Sequence, residues 1–314
     1  MVDTAPAIEV AGLTKRYGPR NTGFLAVDHI DFEVRRGEVF GFLGPNGAGK
    51  TTTIRTLTGL LEPTAGSAKI LGLDRARDLP RIKKRIGLVP EASNLYDELT
   101  AFDNLVFSMQ LYGVARSERA GRAEALLARF GLAERRDTRF GRLSRGMRRA
   151  LTIAAALAHR PDLVFLDEPT TGLDVVSARN LRRMIGGLQD EGVTVFLTTH
   201  YLEEAERLCD RIALLVNGRI VALDTVEELK AQVQGRTTVE VAVENGDKGA
   251  PPEIRRMTGE DVEALVSEAL AQAHAERRRV VSVNTIQPSL EDVFVRLTGL
   301  SADEMRAEKN RKEP

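Results

Sequence analysis

This sequence lacks the features that would place it outside the cell or in a membrane. It has one cysteine, Cys209, among 314 residues, which excludes an internal disulfide framework. Residues 1–4 lack the basic end and apolar core of a signal peptide. The longest apolar candidate, residues 151–158, is far shorter than the ~20 residues of a membrane-spanning helix. We therefore expect a cytoplasmic protein, and any membrane role must come through a partner.

A net charge is missing as well. Lys and Arg together number 45, as do Asp and Glu, so the formal net charge is zero. There is then no bulk electrostatic attraction to nucleic acid or to an anionic membrane, which argues against a DNA-binding protein. The hydrophobic residues amount to 42%, enough for the packed core of one large or two ordinary domains.

Residues 44–51 match the phosphate-binding pattern G-x-x-x-x-G-K-[ST]. They read Gly44, Pro45, Asn46, Gly47, Ala48, Gly49, Lys50 and Thr51. An apolar run at 39–43 predicts a buried strand before the loop, and a helical pattern follows at 52–60. In this arrangement loop N–H groups converge on phosphate oxygens, Lys50 reaches the β- and γ-phosphates, and the Thr51 hydroxyl can bind Mg²⁺. A chance glycine-rich turn would arise in roughly one in a hundred chains of this length, so the pattern predicts nucleotide binding.

Two further predicted strands end in side chains that are typical of active sites. The apolar strand 163–168 ends in Asp167 and Glu168, and buried strands rarely end in two acids for packing reasons. We expect Asp167 to be directed at a metal ion and Glu168 to act as a base. The strand 193–199 leads to His200. This histidine could be a satisfied helix cap, but the same kind of strand end favours a role in the site.

Two segments leave alternatives open. Tyr17 lies between the predicted strands 8–13 and 26–34, where its ring either stacks on adenine or packs locally. The segment 95–114 is predicted to form a turn and a helix whose apolar residues face either a partner or neighbours within the chain.

The remaining pattern indicates several helices and a separate C-terminal unit. A charged surface helix is predicted at 74–87, and a helix at 148–159 follows Ser144, a natural N-cap. We predict a first domain over residues 1–229 and a small α/β domain over 236–300, with strands at 237–243 and 280–286 and helices at 261–273 and 289–297. Residues 245–252 are predicted to be a loop, and residues 301–314 a disordered charged tail.

Taken together, the motifs resemble the ordered set of an ABC-transporter ATP-binding subunit over about residues 8–229. The set comprises GPNGAGKT, LSRGM at 143–147, the strand 163–168, TGLD at 171–174 and His200. Motifs in this order are far more specific than any one of them. The resemblance implies an α/β fold: a P-loop NTPase core of ABC ATPase type, with an N-terminal antiparallel β lobe, a helical signature subdomain and a small C-terminal α/β domain.

The resemblance also implies two ligands, ATP and Mg²⁺, and roles for individual residues. It implies that Tyr17 stacks on adenine and that residues 44–52, including Thr52, hold the phosphates. The implied metal residues are Thr51, Glu91 and Asp167, and the implied catalytic residues are Lys50, Glu168, as the base for the attacking water, and His200, as the switch histidine. A head-to-tail homodimer is implied as well, in which Ser144 and Gly146 of one subunit close over ATP held by the other, with Asp174 in the nucleotide-binding set.

Two positions depart from the family pattern. The family usually has LSGGQ, whereas this chain has Arg145 and Met147 in place of a glycine and the glutamine. The family's contacts from those two side chains are therefore not implied, although Ser144 and Gly146 are intact. Glu91 stands where the family commonly has a glutamine that joins the Mg²⁺ and water shell to the membrane partner. A carboxylate can still bind Mg²⁺ but adds a negative charge beside the phosphates.

The segment 288–295 resembles the ATPase subunits of ABC-2-type export systems, including those for drugs and antibiotics. This implies attachment to the inner face of the membrane through separate transmembrane permease subunits, without direct binding to nucleic acid. The competing class is a soluble ABC ATPase that acts on nucleic acid or ribosomes. Repair-type relatives usually carry a long coiled coil between the phosphate loop and the signature, where this chain has only residues 52–142 without sustained heptads. Translation-type relatives usually fuse two ATPase units, whereas this sequence has no second GxxxxGK[ST]. Both observations favour transport, and the sequence does not specify the cargo.

Overall fold

The computed structural model describes residues 5–19, 23–232, 237–244, 252–259, 261–286 and 289–299. Its contacts divide the chain into two compact units, one reaching to Thr225 and the other spanning Val226–Leu300. The domain boundary predicted at residue 229 falls inside a helix, Val226–Ala231. The predicted tail 301–314 and most of the predicted loop 245–252 lie outside the described residues. The two domain assignments themselves stay predictions.

The first unit alternates strands and helices. In chain order its elements are β1 (Ile8–Tyr17), β2 (Phe24–Val34), β3 (Val39–Leu43), α1 (Lys50–Leu57), β4 (Ala65–Ile70), β5 (Leu73–Asp74), α2 (Leu79–Lys83), β6 (Ile86–Val89), α3 (Ala101–Leu111), α4 (Arg116–Arg129), α5 (Arg145–Leu157), β7 (Leu163–Asp167), α6 (Val175–Asp190), β8 (Thr194–Thr199), α7 (Leu202–Leu208), β9 (Arg211–Val216) and β10 (Arg219–Thr225), with short 3₁₀ turns at Ala133–Arg135 and Phe140–Arg142.

A six-stranded sheet forms the centre of this unit, in the order β10-β9-β3-β8-β7-β6. Its strands from β9 to β6 are parallel, and β10 joins as an antiparallel edge strand. Strands β3, β7 and β8 are buried along their whole length, which explains the apolar centre of each strand, although β8 has threonines at both ends. Because parallel strands end at the same edge of a sheet, the loop after β3, the two acids after β7 and His200 after β8 are brought to one edge.

A four-stranded antiparallel sheet, in the order β2-β1-β4-β5, forms the N-terminal lobe that the sequence predicts. Phe32 of this lobe lies 5.8, 5.5 and 6.0 Å, between ring centroids, from Phe40, Phe42 and Phe196 of the central sheet. Such aromatic pairs contribute roughly 0.5–1.5 kcal/mol each beyond the burial of their surface. The phenylalanine cluster therefore packs the lobe against the sheet that carries the strand-end residues.

The predicted helix at 74–87 is wrong in extent, because only Leu79–Lys83 is helical. Pro80 lies in the first turn, where it fixes the start of a helix. Upstream, the buried guanidinium of Arg75 donates hydrogen bonds to the carbonyl oxygens of Thr56 and Leu61, at 2.8 Å each. These contacts hold the chain against α1 in a non-helical path.

The long helix α6 was not predicted from the sequence.

The second unit comprises α8 (Val226–Ala231), β11 (Thr237–Val243), β12 (Glu253–Gly259), α9 (Val262–Ala275), β13 (Val280–Ile286) and α10 (Leu290–Thr298). Its strands form an antiparallel sheet in the order β12-β11-β13. The alternating residues Val239, Val241 and Val243 are buried against α9. Strand β12 was not predicted, because arginines at 255 and 256 interrupt its apolar alternation. In the part of the chain that the structure describes, no helix is long and apolar enough to cross a lipid bilayer.

Candidate active site

The loop between β3 and α1 is held in one shape by its glycines and by the β9–β10 hairpin. Gly49 has a φ of 107°, and a Cβ there would lie 2.3 Å from the carbonyl oxygen of Ala26. The Gly218 N–H donates to the carbonyl oxygen of Ala48 at 3.1 Å, and the Ala48 N–H donates to that of Pro45 at 3.2 Å. Only glycine satisfies both the backbone conformation and the close approach at position 49. The protein's own backbone contacts therefore hold the conformation of the predicted phosphate loop.

Lys50 is the cation of this loop, and its side chain is only 6% exposed. Its Nζ donates to the carbonyl oxygens of Gly44 at 2.6 Å and Pro45 at 3.1 Å. The same atom lies 3.3 Å from Oε1 of Glu168. Burial lowers the pKa of Lys50, while the negative charge of Glu168 opposes this effect. The structure thus brings together the loop lysine and the carboxylate predicted to be the base.

Asp167 and Thr51 form an oxygen pair beside the loop. Oδ1 of Asp167 accepts hydrogen bonds from the Thr51 hydroxyl at 3.3 Å and from the Thr198 hydroxyl at 2.6 Å. Burial raises the pKa of Asp167, and the two hydroxyl donors oppose the rise. No sequence signal singled out Thr198, although it precedes His200 by two residues and pairs with Asp167 in the sheet register.

Glu168 is buried and has an unusual backbone conformation. Its φ is 47°, in the left-handed region that costs a non-glycine residue on the order of 1–3 kcal/mol. Its Oε2 lies 2.8 Å from Nδ1 of His200 and accepts a hydrogen bond from the Thr171 hydroxyl at 3.0 Å. Burial alone would raise the pKa of Glu168, but the hydrogen bond to His200 and the charge of Lys50 outweigh it, and the pKa is lowered. The carboxylate is therefore ionised at neutral pH.

An open pocket of about 560 Å³ lies beside these groups. Its polar lining includes Thr51, Glu91, Arg145, Asp167 and Thr171. Hydroxyl and carboxylate oxygens are the ligands that Mg²⁺ prefers, so the donors present fit that ion. Among the described residues, no cluster of three or more His, Cys, Asp or Glu side chains could hold a metal. The Thr51 hydroxyl and the carboxylates of Glu91 and Asp167 are thus the anionic and hydroxyl oxygen donors named in this lining.

Tyr17 lies at the end of β1, close to the start of α1. The residue is 40% exposed, its hydroxyl is 3.5 Å from the Thr52 hydroxyl, and Nζ of Lys15 lies over the ring at 5.4 Å from its centroid. An exposed aromatic face is thus available beside the phosphate loop. Stacking on adenine stays a prediction.

Arg149 is a site residue that no sequence signal indicated. It lies on α5 and is 8% exposed. Its guanidinium donates to the carbonyl oxygens of Pro90 at 2.5 Å, Glu91 at 3.1 Å, Asp167 at 2.6 Å and Pro169 at 2.8 Å. Burial lowers its pKa to about 10, against the opposing charge of Asp167, so the group stays charged. The Arg149 side chain therefore connects the segment that contains Glu91 to the segment that contains Asp167 and Glu168.

Comparison with known proteins gives the family of this chain. A family model described as ABC transporter matches residues 27–171. The chain is 39% identical over 320 residues to the daunorubicin/doxorubicin resistance ATP-binding protein DrrA of Streptomyces peucetius, an alignment that covers 96% of this chain and 95% of that protein. The chain belongs to the ATP-binding proteins of ABC transporters. It is also 41% identical over 292 residues to a fluoroquinolones export ATP-binding protein of Mycobacterium tuberculosis, with 93% of each chain covered.

A solved structure agrees with this assignment. The ATP-binding cassette MJ0796, a dimer in a post-hydrolysis state bound to ADP and Pi, is 26% identical with a TM-score of 0.64, covering 69% of this chain and 98% of that one. The predicted ABC ATPase fold with its antiparallel β lobe is confirmed. As a member of the family, the protein binds and hydrolyses ATP. The roles of single residues stay predictions.

Three predicted residues of this ABC ATP-binding protein form a separate group. Ser144 caps α5 by accepting a hydrogen bond from the Met147 N–H at 3.3 Å, and Asp174 caps α6 by accepting one from the Ser177 N–H at 2.9 Å. A Cβ at Gly146 would lie 2.5 Å from the Ser177 hydroxyl. Within the described residues, no hydrogen bond or ion pair joins Ser144, Gly146 or Asp174 to the phosphate loop. The structure of one chain thus brings these three residues near one another but does not join them to Lys50.

Proposed function

We propose that this chain is the ATP-hydrolysing subunit of an exporter and drives a substrate through separate membrane subunits. Its match to drug-resistance and drug-export ATP-binding proteins over almost their whole length supports this proposal. In this proposal the chain lies in the cytoplasm and is attached to the inner face of the membrane through those subunits. The transported substrate is left open, because its recognition would lie in the membrane subunits.

The observation that carries the catalytic proposal is the contact of Glu168 with both Lys50 and His200. Lys50 and the loop N–H groups bind the phosphates, and Tyr17 stacks on adenine. The ionised Glu168 orients the attacking water and takes its proton, while His200 holds Oε2 of that carboxylate. Phosphoryl transfer depends mainly on such positioning and on charge stabilisation.

Thr51 and Asp167 are the proposed magnesium ligands, and their oxygens lie 3.3 Å apart. Mg²⁺ bound there would neutralise charge that develops on the phosphate oxygens. Glu91 lines the same pocket and offers a further carboxylate. We propose that Glu91 tunes the binding of Mg²⁺, because Thr51 and Asp167 are present without it.

Ser144, Gly146 and Asp174 act across a head-to-tail homodimer in this proposal. Ser144 and Gly146 of one subunit close over ATP held by the other, which agrees with the lack of a hydrogen bond between them and the phosphate loop among the described residues. The similar cassette MJ0796 is described as a dimer, which supports this arrangement. The contacts that the family's glycine and glutamine would make are not assigned to Arg145 or Met147, although Arg145 lines the pocket beside Thr51 and Asp167.

Membrane subunits dock on residues 91–111 in this proposal. Tyr96 lies in this segment and is half exposed, and its ring packs edge-on against Phe107 with centroids 5.2 Å apart. An exposed aromatic ring held by a neighbour suits a docking contact. The second structural unit is assigned to dimer support or regulation, since the sequence shows no nucleotide or metal motif there.

The test combines hydrolysis with isolation of the native complex. We expect phosphate release from ATP to require Mg²⁺ and to stop when the ion is chelated. We also expect the tagged chain, taken from native membranes, to co-purify with an integral membrane protein that is identified by mass spectrometry. Co-purification with ribosomes or nucleic acid, without a membrane protein, would instead support the soluble alternative and contradict the proposed export role.

A further inference from the structure

Glu204 is a buried carboxylate that the site described above does not use. It lies in α7, four positions after His200 in the chain, and is 2% exposed. A buried acid needs hydrogen-bond donors or a counter-charge to compensate for lost hydration. Its contacts therefore indicate what holds it in place.

One oxygen of Glu204 joins two segments of the site. Its Oε2 accepts hydrogen bonds from the Thr170 hydroxyl at 2.8 Å and from the Thr199 hydroxyl at 2.9 Å. Thr170 follows Glu168 by two residues, and Thr199 immediately precedes His200. The Thr199 hydroxyl also accepts a hydrogen bond from the Tyr201 N–H at 3.0 Å, which fixes the backbone on the far side of His200.

We propose that Glu204 is a positioning residue that sets the contact between His200 and Glu168. The inference rests on the proposed catalytic roles of those two residues. The contact spans 2.8 Å between side chains on neighbouring strand ends, and each strand end is tied to the same Glu204 oxygen through one threonine hydroxyl. Loss of that oxygen frees both segments at once and leaves two buried hydroxyls without an acceptor.

The geometry requires an acceptor at this position and does not require a charge. Oε1 of Glu204 has no hydrogen-bond partner within the described residues. Burial raises the pKa of Glu204, against the opposing effect of the Thr170 and Thr199 hydroxyls. A glutamine keeps one carbonyl oxygen of the same reach, so it can accept both hydroxyls, whereas a leucine of similar size cannot accept either.

The test measures kcat and KM for Mg-ATP hydrolysis by the full chain. For Glu204→Leu we expect kcat to fall on the order of 10- to 100-fold, because a misplacement of about 1 Å can cost 10²-fold. We expect KM for ATP to change by less than about threefold, since the phosphate loop is not touched. We expect Glu204→Gln to recover kcat to within about threefold of wild type. The matched control is Glu203→Leu, which removes an exposed carboxylate one position earlier and should leave kcat unchanged.

A double-mutant cycle separates positioning from general damage to the fold. If Glu204 acts through His200, Glu204→Leu should lower kcat little further, by less than about threefold, in a His200→Ala background. The proposal would be overturned if the kcat losses of Glu204→Leu and His200→Ala multiplied in full in the double variant. It would also be overturned if Glu204→Gln lost as much kcat as Glu204→Leu. If Glu204→Leu does not fold, Thr170→Val and Thr199→Val each remove one of the two hydroxyls. A normal kcat in both of these variants would also overturn the proposal.

The same assay distinguishes failure of this inference from failure of the proposed function. A wild-type chain without ATPase activity, or a fully active Glu168→Gln variant, would contradict the proposed catalytic roles. A different outcome would contradict only the positioning role of Glu204. In that outcome the wild-type chain hydrolyses ATP and Glu168→Gln does not, but Glu204→Leu is as active as Glu203→Leu.

Discussion

Replacing Arg149 with methionine tests whether the guanidinium between two site segments holds the first unit together. The change keeps the apolar stem and removes the four hydrogen bonds that the guanidinium donates to the carbonyl oxygens of residues 90, 91, 167 and 169. The acceptors of Asp167 and Pro169 are buried, so water cannot replace the lost donors. The acceptors of Pro90 and Glu91 are partly exposed and can be hydrated.

The expected destabilisation follows from the two buried acceptors. A buried polar group left unpaired costs about 1–3 kcal/mol, which gives roughly 2–6 kcal/mol for the pair. Methionine no longer requires a charge to be desolvated, and this offsets part of the loss. We expect the free energy of unfolding to fall by about 2–4 kcal/mol. For a unit of this size each kcal/mol lowers the Tm by about 2–4 °C, so the Tm should fall by roughly 4–16 °C.

Differential scanning calorimetry can measure this change, with the transition of the first unit identified by its rise on addition of ATP. The matched control is Arg148→Met, on the adjacent half-buried arginine, whose side chain makes no hydrogen bond or ion pair within the described residues. We expect that control to change the free energy of unfolding by less than about 1 kcal/mol. Equal transition temperatures for the two variants would refute the role assigned to Arg149.

Three further predictions concern the site and its partners. Glu91→Gln should retain ATP and Mg²⁺ affinity within about tenfold, roughly 1.4 kcal/mol, by calorimetric titration; complete loss of ATP binding would make Glu91 a primary ligand. Tyr96→Asp should abolish co-purification of the membrane subunit or export, because it puts a charge in the docking segment; a mutant that keeps both would contradict the assignment. A chain that ends at Thr225 should still bind ATP; if it folds, by circular dichroism, and binds none, the second unit contributes to the site.

The parts of the site that lie at strand ends could be predicted from the sequence. Strands β7 and β8 have apolar centres and are buried along their whole length, so the residues that end them must meet at one edge of a parallel sheet. This rule predicts Asp167, Glu168 and His200 as neighbours, and the last two are 2.8 Å apart.

Residues that act through backbone contacts could not be predicted in this way. Arg149 directly follows Arg148 on α5, and nothing in the sequence separates the two arginines. The acceptors of Arg149 are carbonyl oxygens, which no sequence pattern marks. Glu204 is the same residue type as its exposed neighbour Glu203, and the two differ only in that the side chain of Glu204 is buried. Strand β12 was missed for a related reason, since its Arg255 is compensated by an ion pair with Glu276 that is remote in sequence.

In the proposed mechanism, Glu168 is the base of an ATPase that works as an ATP-bound dimer. Glu168→Gln is nearly isosteric and removes the basic charge, so ATP binding should survive because Lys50 and the phosphate loop are intact. We expect hydrolysis to slow on the order of 10²- to 10⁴-fold, the usual contribution of a general base. Because ATP held between two subunits stabilises their association, slow hydrolysis should let the dimer accumulate.

The decisive measurement is size-exclusion chromatography of Glu168→Gln with and without Mg-ATP, run beside a phosphate-release assay. We expect an inactive variant that elutes as a monomer without nucleotide and as a dimer with Mg-ATP. Near-normal phosphate release would remove Glu168 from the catalytic role, and an inactive variant that binds ATP but stays monomeric would contradict the head-to-tail dimer.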